Sequence, residues 1–344
     1  MGNTVLQMLR ASMFVVAVLF STTLQPQFVD TRTDWLYRGK IGLSTHYIAR
    51  KLDTLEPLAK QFQIERIASQ AASAGASWFL FTIHHEPWLM MAPNAAYDRI
   101  LGTTDHTSER DVPMELHKHL SSKNIRMMLY VILRMDPTSA SAATEHVRSS
   151  MGGWPPNDKL INNMASVYRE FSLRYGSKVS GWWVDGAGIL RQSPHRERWL
   201  NQIAGALRAG NPNAIVAFNA GVRLERFGPS DFTAGEMNDL TYFPKGRWLD
   251  GAQFHAFTYL GGWWSWGGTR FPDRDLIAYS TRVVSNGGVL TFDVATLGLT
   301  GKKRGDAPTS TPYVGFIDPS QAEQVLLVVR AIKEQQQKVA STIN

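Results

Sequence analysis

One carboxylate directly follows a stretch that predicts a buried strand. Residues 179–184 are almost entirely apolar and β-prone, and Asp185 and Gly186 come next. A strand of this composition is typical of a parallel sheet that is covered on both faces. Because an unpaired carboxylate is costly to bury, we expect Asp185 to emerge at the carboxyl end of the strand, where (β/α) barrels build their active sites. The position leaves two interpretations open, a catalytic carboxylate and an N-cap of the next helix.

Polar and aromatic side chains also gather at the ends of the other predicted strands. The polar residues are His46, His84, His85, Glu86, Asp136, Asn219, Glu236, His255 and Asp293, and the nearby tryptophans are Trp88, Trp182, Trp183, Trp263, Trp264 and Trp266. Indole rings pack on the C–H face of a sugar, polar groups bond its hydroxyls, and two carboxyl groups can act as nucleophile and general acid/base. The set favours carbohydrate processing. Core histidines and packing tryptophans are the structural alternative.

Other chemistries have weaker support. His84, His85 and Glu86 are adjacent, and neighbouring histidines in a strand point to opposite faces, which suits metal chelation poorly. The sequence contains no H-E-x-x-H pattern and no G-x-S-x-G elbow. It has no cysteine, which excludes disulfides, thiolate catalysis and cysteine zinc sites. We therefore expect neither a metal nor a cofactor.

Short apolar strands alternate with amphipathic helices along the chain. The predicted strands are 42–47, 77–83, 126–133, 179–184, 214–218, 252–258 and 287–292, and a sixth unit contains 231–236 and 240–243 without a clear strand. The predicted helices are 55–74, 112–120, 160–175, 197–209, 275–285 and 321–335. About eight such units predict an α/β fold, a (β/α)8 TIM-type barrel that forms a single domain over residues 30–340.

Residues 1–24 have the layout of a secretory signal. Arg10 precedes the apolar run 13–20, which is too short to span a bilayer, and small polar residues follow. No clear A-x-A cleavage site is present, so an uncleaved N-terminal anchor is the alternative. We expect a secreted or periplasmic protein without a stable membrane span.

The 344-residue chain is basic, with a formal net charge of +7. Its basic residues are scattered, apart from the block 302–304 (Lys-Lys-Arg). This pattern argues against a nucleic-acid surface and leaves a polyanionic glycan open as a partner.

Several segments, in order, resemble the motifs of α-L-fucosidases of glycoside hydrolase family 29. Residues 74–86 (AGASWFLFTIHHE) are similar to the family pattern A-G-A-K-Y-x-x-L-T-x-K-H-H-D, and 175–186 are similar to Y-G-P-x-x-x-x-x-W-F-D-G. Weaker matches are 42–47, Arg110-Asp111, 231–236 (similar to D-Y-x-T-P-E), 264–267 (similar to S-W-G-Y) and 283–288. The matches cover residues 39 to 295, and the resemblance implies a catalytic barrel.

The resemblance also implies roles for individual residues. Asp185 would be the nucleophile, His46, His84 and His85 would bond sugar hydroxyls, and Trp183 would line the pocket, with Trp266 as a further substrate contact. Glu236 is our candidate for the general acid/base, because it ends a family-like segment and follows Gly235, which permits a tight backbone approach. Glu86 and Asp293 are its competitors.

The sequence departs from the family pattern at several sugar contacts. The family's N-x-R after strand five is here 219–221 (Asn-Ala-Gly), so its arginine is missing or is supplied by Arg223. We expect no counterpart of the accessory C-terminal β-sandwich of many relatives. We predict a secreted retaining exo-glycosidase that hydrolyses terminal α-L-fucosyl linkages, with a fucosylated glycan or fucose-containing polysaccharide as partner. The alternatives are action on another sugar, cleavage of internal polysaccharide links, and an inactive glycan-binding barrel.

Overall fold

A curled sheet of parallel strands lies at the centre of the protein, whose computed structural model describes residues 31–135 and 142–343. The strands of the described residues are β1 (Ile41–Thr45), β2 (Trp78–Thr82), β3 (Arg126–Ile132), β4 (Val179–Asp185), β5 (Ile215–Phe218), β6 (Trp248–Leu249), β7 (Ala252–Gln253), β8 (His255–Tyr259), β9 (Trp266–Gly267), β10 (Val289–Asp293), β11 (Leu297–Thr300) and β12 (Thr309–Val314). The central sheet has the order β5-β4-β3-β2-β1-β10-β8, with every pair parallel. The prediction of a parallel α/β fold is confirmed.

Helices connect the strands and cover the sheet. In the described residues they are α1 (Asp34–Gly39), α2 (Leu52–Gln61), α3 (Ile64–Ser73), α4 (Ala95–Leu101), α5 (Val112–Ser121), α6 (Ala142–Met151), α7 (Asp158–Tyr175), α8 (Arg196–Leu207), α9 (Asp273–Ser285) and α10 (Pro319–Ile343). Helix α7 shows why they start where they do: Oδ1 of Asn157 accepts the Leu160 N–H at 3.0 Å and so satisfies a free donor of the first turn. Its apolar face is buried, and the helix packs on α8 and α4.

The prediction of one helix over 55–74 is wrong, because the chain breaks between α2 and α3. Phe62 is extended (φ −68°, ψ 110°), and its ring packs on Tyr47 and Phe81 at 4.7 and 5.1 Å between centroids. The N–H of Gln63 then bonds the carbonyl of Gly315 at 2.8 Å. Helical spacing continues on both sides of the break, but burial of the Phe62 ring requires the extended residue between them.

The inner face of the sheet is filled by side chains at the start of the strands. The Trp78 indole lies across Gly42 of the neighbouring strand, where an added Cβ would come within 2.0 Å of Trp78 Nε1. That indole N–H donates to the Thr291 hydroxyl at 2.9 Å. The same hydroxyl contacts Nε2 of His255 at 2.8 Å. A packed layer of this kind leaves space for a site only towards the carboxyl ends of the strands.

The segment 231–237 lies between the two edge strands of the sheet. On one side, the Asp231 N–H bonds the carbonyl of Val216 in β5. On the other side, the N–H groups of Thr233 and Met237 bond the carbonyls of Gln253 in β7 and Phe257 in β8. The segment makes isolated parallel bridges rather than a continuous strand. The predicted sixth unit therefore holds extended chain, and a closed eight-stranded barrel stays a prediction.

Two smaller sheets were not predicted from the sequence. β9, β11 and β12 form one of them, with β11 antiparallel to β12 and parallel to β9. β6 and β7 form a short antiparallel pair, so the predicted strand 252–258 is divided into β7 and β8. The first small sheet follows β10 and brings β9 and β11 to the carboxyl edge of the central sheet, beside the predicted site.

Some predictions lie outside the described residues or are not tested by the fold. The segment 1–24 and Asp136 lie outside them. Residues from Arg32 onward form a compact unit by themselves, and the domain limits 30–340 stay a prediction. None of the helices within 31–135 and 142–343 is long and apolar enough to cross a membrane.

The backbone of the segment 231–237 requires a glycine at one position. Gly235 has φ +67°, and a Cβ there would lie 1.9 Å from the carbonyl oxygen of His255. We expect Gly235→Ala to lower the free energy of unfolding by several kcal/mol, roughly the range of severe single substitutions, because both the dihedral angle and the contact are unfavourable for alanine. Urea unfolding followed by circular dichroism measures the loss.

Gly205→Ala is the matched control. Gly205 lies in α8, and a Cβ there meets nothing within 4 Å. Alanine should raise stability by up to about 1 kcal/mol at this helical position. Equal stability of Gly235→Ala and the wild-type protein would contradict the tight packing of segment 231–237 against β8.

Candidate active site

Two carboxylates meet at the carboxyl edge of the sheet through one shared amide. Nδ2 of Asn219 donates to Oδ1 of Asp185 at 2.7 Å and to Oε2 of Glu236 at 2.6 Å. An amide nitrogen carries two hydrogens, so one NH₂ group can serve both acceptors. The two oxygens therefore lie at most 5.3 Å apart, the sum of the two bond lengths.

The amide of Asn219 is held in a single orientation. Its backbone N–H donates to the Val184 carbonyl at 2.7 Å, and its own carbonyl accepts the Ala187 N–H at 2.8 Å. Its Oδ1 accepts the N–H of Gly221 at 3.2 Å, which places Nδ2 on the side of the carboxylates. Asn219 is only 1% exposed, so its NH₂ group depends on these acceptors rather than on water.

Asp185 reaches the site because it ends β4 on the same face as Trp183, two residues earlier. The hydroxyl of Tyr130, on the neighbouring strand β3, donates to Asp185 Oδ2 at 2.6 Å. Burial, followed by the charge of Asp185, raises the pKa of Tyr130 well above its usual value. Tyr130 therefore stays a neutral donor, and both oxygens of Asp185 accept a hydrogen bond.

Glu236 has a different electrostatic environment. Burial raises its pKa from 4.5 to about 7, with the charge of Asp185 as the next cause, while the hydrogen bond from Asn219 and the nearby His46 lower it. The segment 231–237 is fixed partly by Trp183, whose indole N–H donates to the Ala234 carbonyl at 3.1 Å. The raised pKa favours a protonated Glu236 close to the hydrogen-bonded carboxylate of Asp185, an arrangement that suits a general acid beside a nucleophile.

Histidines that follow β1 and β2 complete the wall near the carboxylates. Nε2 of His85 lies 3.7 Å from Asp185 Oδ2. Burial lowers the pKa of His85 to about 3, against the effect of Asp185, so its ring is neutral and able to bond a hydroxyl. His46 Nδ1 lies 2.8 Å from Oδ1 of Asp293, whose Oδ2 accepts the Ser265 N–H at 2.5 Å. Asp293 thus orients the His46 ring and leaves Nε2 for other partners.

The carboxylates lie in a pocket of about 580 Å³ with aromatic walls. This volume is in the range of sites that hold small ligands. The aromatic and histidine side chains that line it are His46, His85, Tyr130, Trp183, Phe257, Trp263, Trp264 and Trp266. Tyr130 stacks on Trp183 at 5.0 Å, and Trp264 packs on Phe257 at 4.9 Å and on His46 at 5.1 Å. The walls offer flat apolar faces, as a sugar ring requires.

Two of the predicted sugar contacts lie elsewhere. The His84 ring is 1% exposed and packs between Trp88 and Tyr168, at 4.6 and 5.9 Å between centroids, away from the pocket lining. Burial lowers its pKa to about 3. Arg223 is exposed and does not line the pocket, although its neighbour Val222 does. The structure thus brings together Asp185, Glu236, His46, His85, Trp183 and Trp266, and separates His84 and Arg223 from them.

Tyr130 and three arginines were missed as site residues by sequence reasoning. Tyr130 lies within a run of apolar residues, and only its register with Trp183 of β4 shows that both point to the same face. Arg50, Arg134 and Arg304 line the pocket and come from loops whose course the sequence did not predict. Within the described ranges, no group of three or more His, Cys, Asp or Glu is placed to hold a metal ion.

Comparisons with known proteins identify a family and a fold. The model of the family described as alpha-L-fucosidase matches residues 54–302. No curated protein matches the chain significantly. Among solved structures, the endo-fucoidan hydrolase MfFcnA4 of glycoside hydrolase family 107 is similar with a TM-score of 0.67 and 16% identity, over 86% of this chain and 53% of that one.

Two further structures show the same likeness. The endo-fucoidan hydrolase P5AFcnA has a TM-score of 0.64 at 13% identity, over 88% of this chain and 93% of that one. A family 29 alpha-L-fucosidase from Bacteroides thetaiotaomicron, trapped as a covalent intermediate, has a TM-score of 0.59 at 13% identity, over 88% and 75%. At these identities the likeness concerns the fold. The chain spans about half the length of MfFcnA4.

The raised pKa of Glu236 predicts a pH-dependent stability. As the pH rises from about 4.5 to 7, the unfolded chain releases the Glu236 proton before the folded protein does, so the free energy of unfolding falls across this window. Glu236→Gln removes the titrating group. The variant should match the wild-type protein at pH 4 and exceed its stability at pH 8, by up to about 3 kcal/mol.

Urea unfolding at the two pH values measures this difference. Glu334→Gln, at an exposed position of α10, is the control and should have little effect at either pH. A gain for Glu236→Gln of the same size at pH 4 and pH 8 would mean that packing, and not the charge of Glu236, is responsible.

Proposed function

Because this chain belongs to the alpha-L-fucosidase family, we propose that it is a retaining exo-glycosidase that removes terminal α-L-fucosyl residues. The family consists of glycoside hydrolases that act on fucose. The observation that carries the proposal is the pair of carboxylates joined through Asn219, with oxygens at most 5.3 Å apart, the sum of the two bonds. Retaining glycosidases hold their carboxyl groups about 5–5.5 Å apart, and inverting ones about 6.5–9.5 Å apart.

In the first step, Asp185 attacks the anomeric carbon of the sugar. A bond forms between a carboxylate oxygen and this carbon, while the bond from the carbon to the leaving oxygen breaks. Glu236, protonated near neutral pH, gives its proton to the leaving oxygen and becomes a carboxylate. The hydrogen bonds from Tyr130 and Asn219 keep Asp185 aligned for this attack.

In the second step, water replaces the departed group. Glu236 takes a proton from the water molecule as its oxygen attacks the anomeric carbon, and the bond to Asp185 breaks. The carboxylate of Asp185 and the proton on Glu236 are thereby restored. The change of charge on Asp185 supports this cycle, because the neutral ester no longer raises the pKa of Glu236 and so allows it to act as a base.

The neutral His85 and the oriented His46 supply groups for sugar hydroxyls, and the tryptophans supply stacking faces.

We extend the proposal to the fold: the segment 231–237 takes the place of the missing strand in an eight-membered barrel, supported by its bonds to both edges of the central sheet. Export directed by residues 1–24 is likewise part of the proposal.

Leaving-group dependence tests the roles of the two carboxyl groups. Glu236→Ala should lower kcat/KM far more for a fucosyl disaccharide than for an activated aryl α-L-fucoside, because only the poor leaving group needs the proton. Asp185→Asn should abolish turnover of both. The rates are followed by the release of free fucose, which also distinguishes removal of terminal units from internal cleavage.

Glu86→Ala is the control, since Glu86 lies near His85 in the sequence but does not contact Asn219. It should show no selectivity between the two leaving groups. Equal losses on both substrates for Glu236→Ala would assign a structural role to Glu236. Release of oligosaccharides without free fucose would contradict the exo-acting proposal.

A further inference from the structure

The pocket carries more positive charge than hydrolysis of a neutral sugar requires. Apart from the carboxyl groups of Asp185 and Glu236, the Asp, Glu, Lys and Arg side chains that line it in the described part of the chain are three arginines, Arg50, Arg134 and Arg304. They come from three separate segments, after β1, after β3 and between β11 and β12. The family pattern contains one arginine among its sugar contacts, so three guanidinium groups at one small pocket need a further physical reason.

Arg50 lies close to the reacting groups. Its Nη1 donates to the backbone carbonyl of Glu86 at 3.1 Å, and it forms no ion pair with a described carboxylate. Burial lowers the pKa of His85 most, and the charge of Asp185 raises it. The charges of His46, Arg50 and Arg134 lower it further, in that order. Arg134 Nε lies 3.5 Å from Oε1 of Glu86. The guanidinium of Arg50 therefore faces the same space as the His85 ring.

Arg304 stands on the β8 side of the pocket. Its guanidinium lies over the Trp263 ring, 4.6 Å from the centroid, and makes no ion pair with any carboxylate of the described ranges. It belongs to the basic block 302–304, whose backbone is held by Asp306: Oδ2 accepts the N–H groups of Lys302 and Lys303 at 3.1 and 3.0 Å. The block is therefore presented in a defined loop beside the tryptophans.

We propose that the pocket binds a glycan whose sugars carry anionic substituents, with one substituent at Arg50 and another at Arg304. A guanidinium presents a planar fork of donors that matches sulfate esters and carboxylates, and charge-assisted bonds of this kind are about twice as strong as neutral ones. A positive rim also concentrates an anionic polymer at the site. The identity of the sugar rests on the proposed function, whereas the anion site is tested by binding without turnover.

Isothermal titration calorimetry with matched oligosaccharides tests the proposal, with every protein carrying Asp185→Asn so that no probe is hydrolysed. The probes are a sulfated fuco-oligosaccharide, the same oligosaccharide after desulfation, an oligogalacturonate and inorganic sulfate. The sulfated probe or the carboxylated probe should bind at least about tenfold more tightly than the neutral one, and the difference should shrink as salt is raised. The stronger of the two identifies the source of the negative charge, and inorganic sulfate alone should bind weakly.

The variants are Arg50→Gln, Arg304→Gln and the double variant, with Arg169→Gln as the matched control on the exposed face of α7. Each single variant should lose part of the preference for the anionic probe, and the double variant all of it, with affinity for the desulfated probe retained. Arg169→Gln should behave as the protein that carries Asp185→Asn alone.

Two results would overturn the proposal: equal affinity for anionic and neutral probes, or a preference that survives in the double variant. Loss of the preference in Arg169→Gln to the same extent would also count against it, because net charge alone would then explain the binding. If no fucoside is hydrolysed but the anionic preference follows Arg50 and Arg304, the proposed function fails and the anion site stands.

Discussion

The two hydrogen bonds donated by the Asn219 amide determine how close the two carboxyl groups of the site lie. Asn219 holds two carboxyl groups so close that both cannot be ionised without a large cost: two charges about 5 Å apart repel by about 3 kcal/mol at an effective dielectric constant of about 20. Burial adds to this cost at Glu236, while each oxygen of Asp185 accepts a hydrogen bond. The proton therefore resides on Glu236. The proposed division of roles between the two carboxyl groups rests on their surroundings, not on their residue types.

Much of the surrounding structure keeps this arrangement in place. Gly235 allows the segment of Glu236 to pack against the His255 carbonyl, and Trp183 bonds the same segment from β4. The Trp78 layer fills the sheet below and confines the open space to the carboxyl edge. The aromatic walls then exclude part of the water around the carboxylates, which preserves the raised pKa of Glu236. The rim arginines add a longer-ranged field for the approach of an anionic ligand.

The sequence was informative where the local pattern determines the structure. The apolar run before Asp185 predicted both the strand and its exit at the carboxyl edge, and the glycine before Glu236 indicated a close backbone approach. Contacts between distant segments were not predictable in this way. Tyr130 resembles any other apolar strand residue until its register with β4 is known. His84 and His85 are adjacent in the chain, but β2 ends at Thr82, and their rings lie in different surroundings.

The central claim is that Asp185 forms a covalent bond to the sugar, and trapping that bond tests it most directly. The protein is incubated with 2-fluoro-fucosyl fluoride, digested, and its peptides are examined by mass spectrometry. The account predicts one added fluorofucosyl group on the peptide that contains Asp185, and no label in Asp185→Asn. A label on a different residue, or active enzyme that turns over fucosides and retains no label, would contradict it.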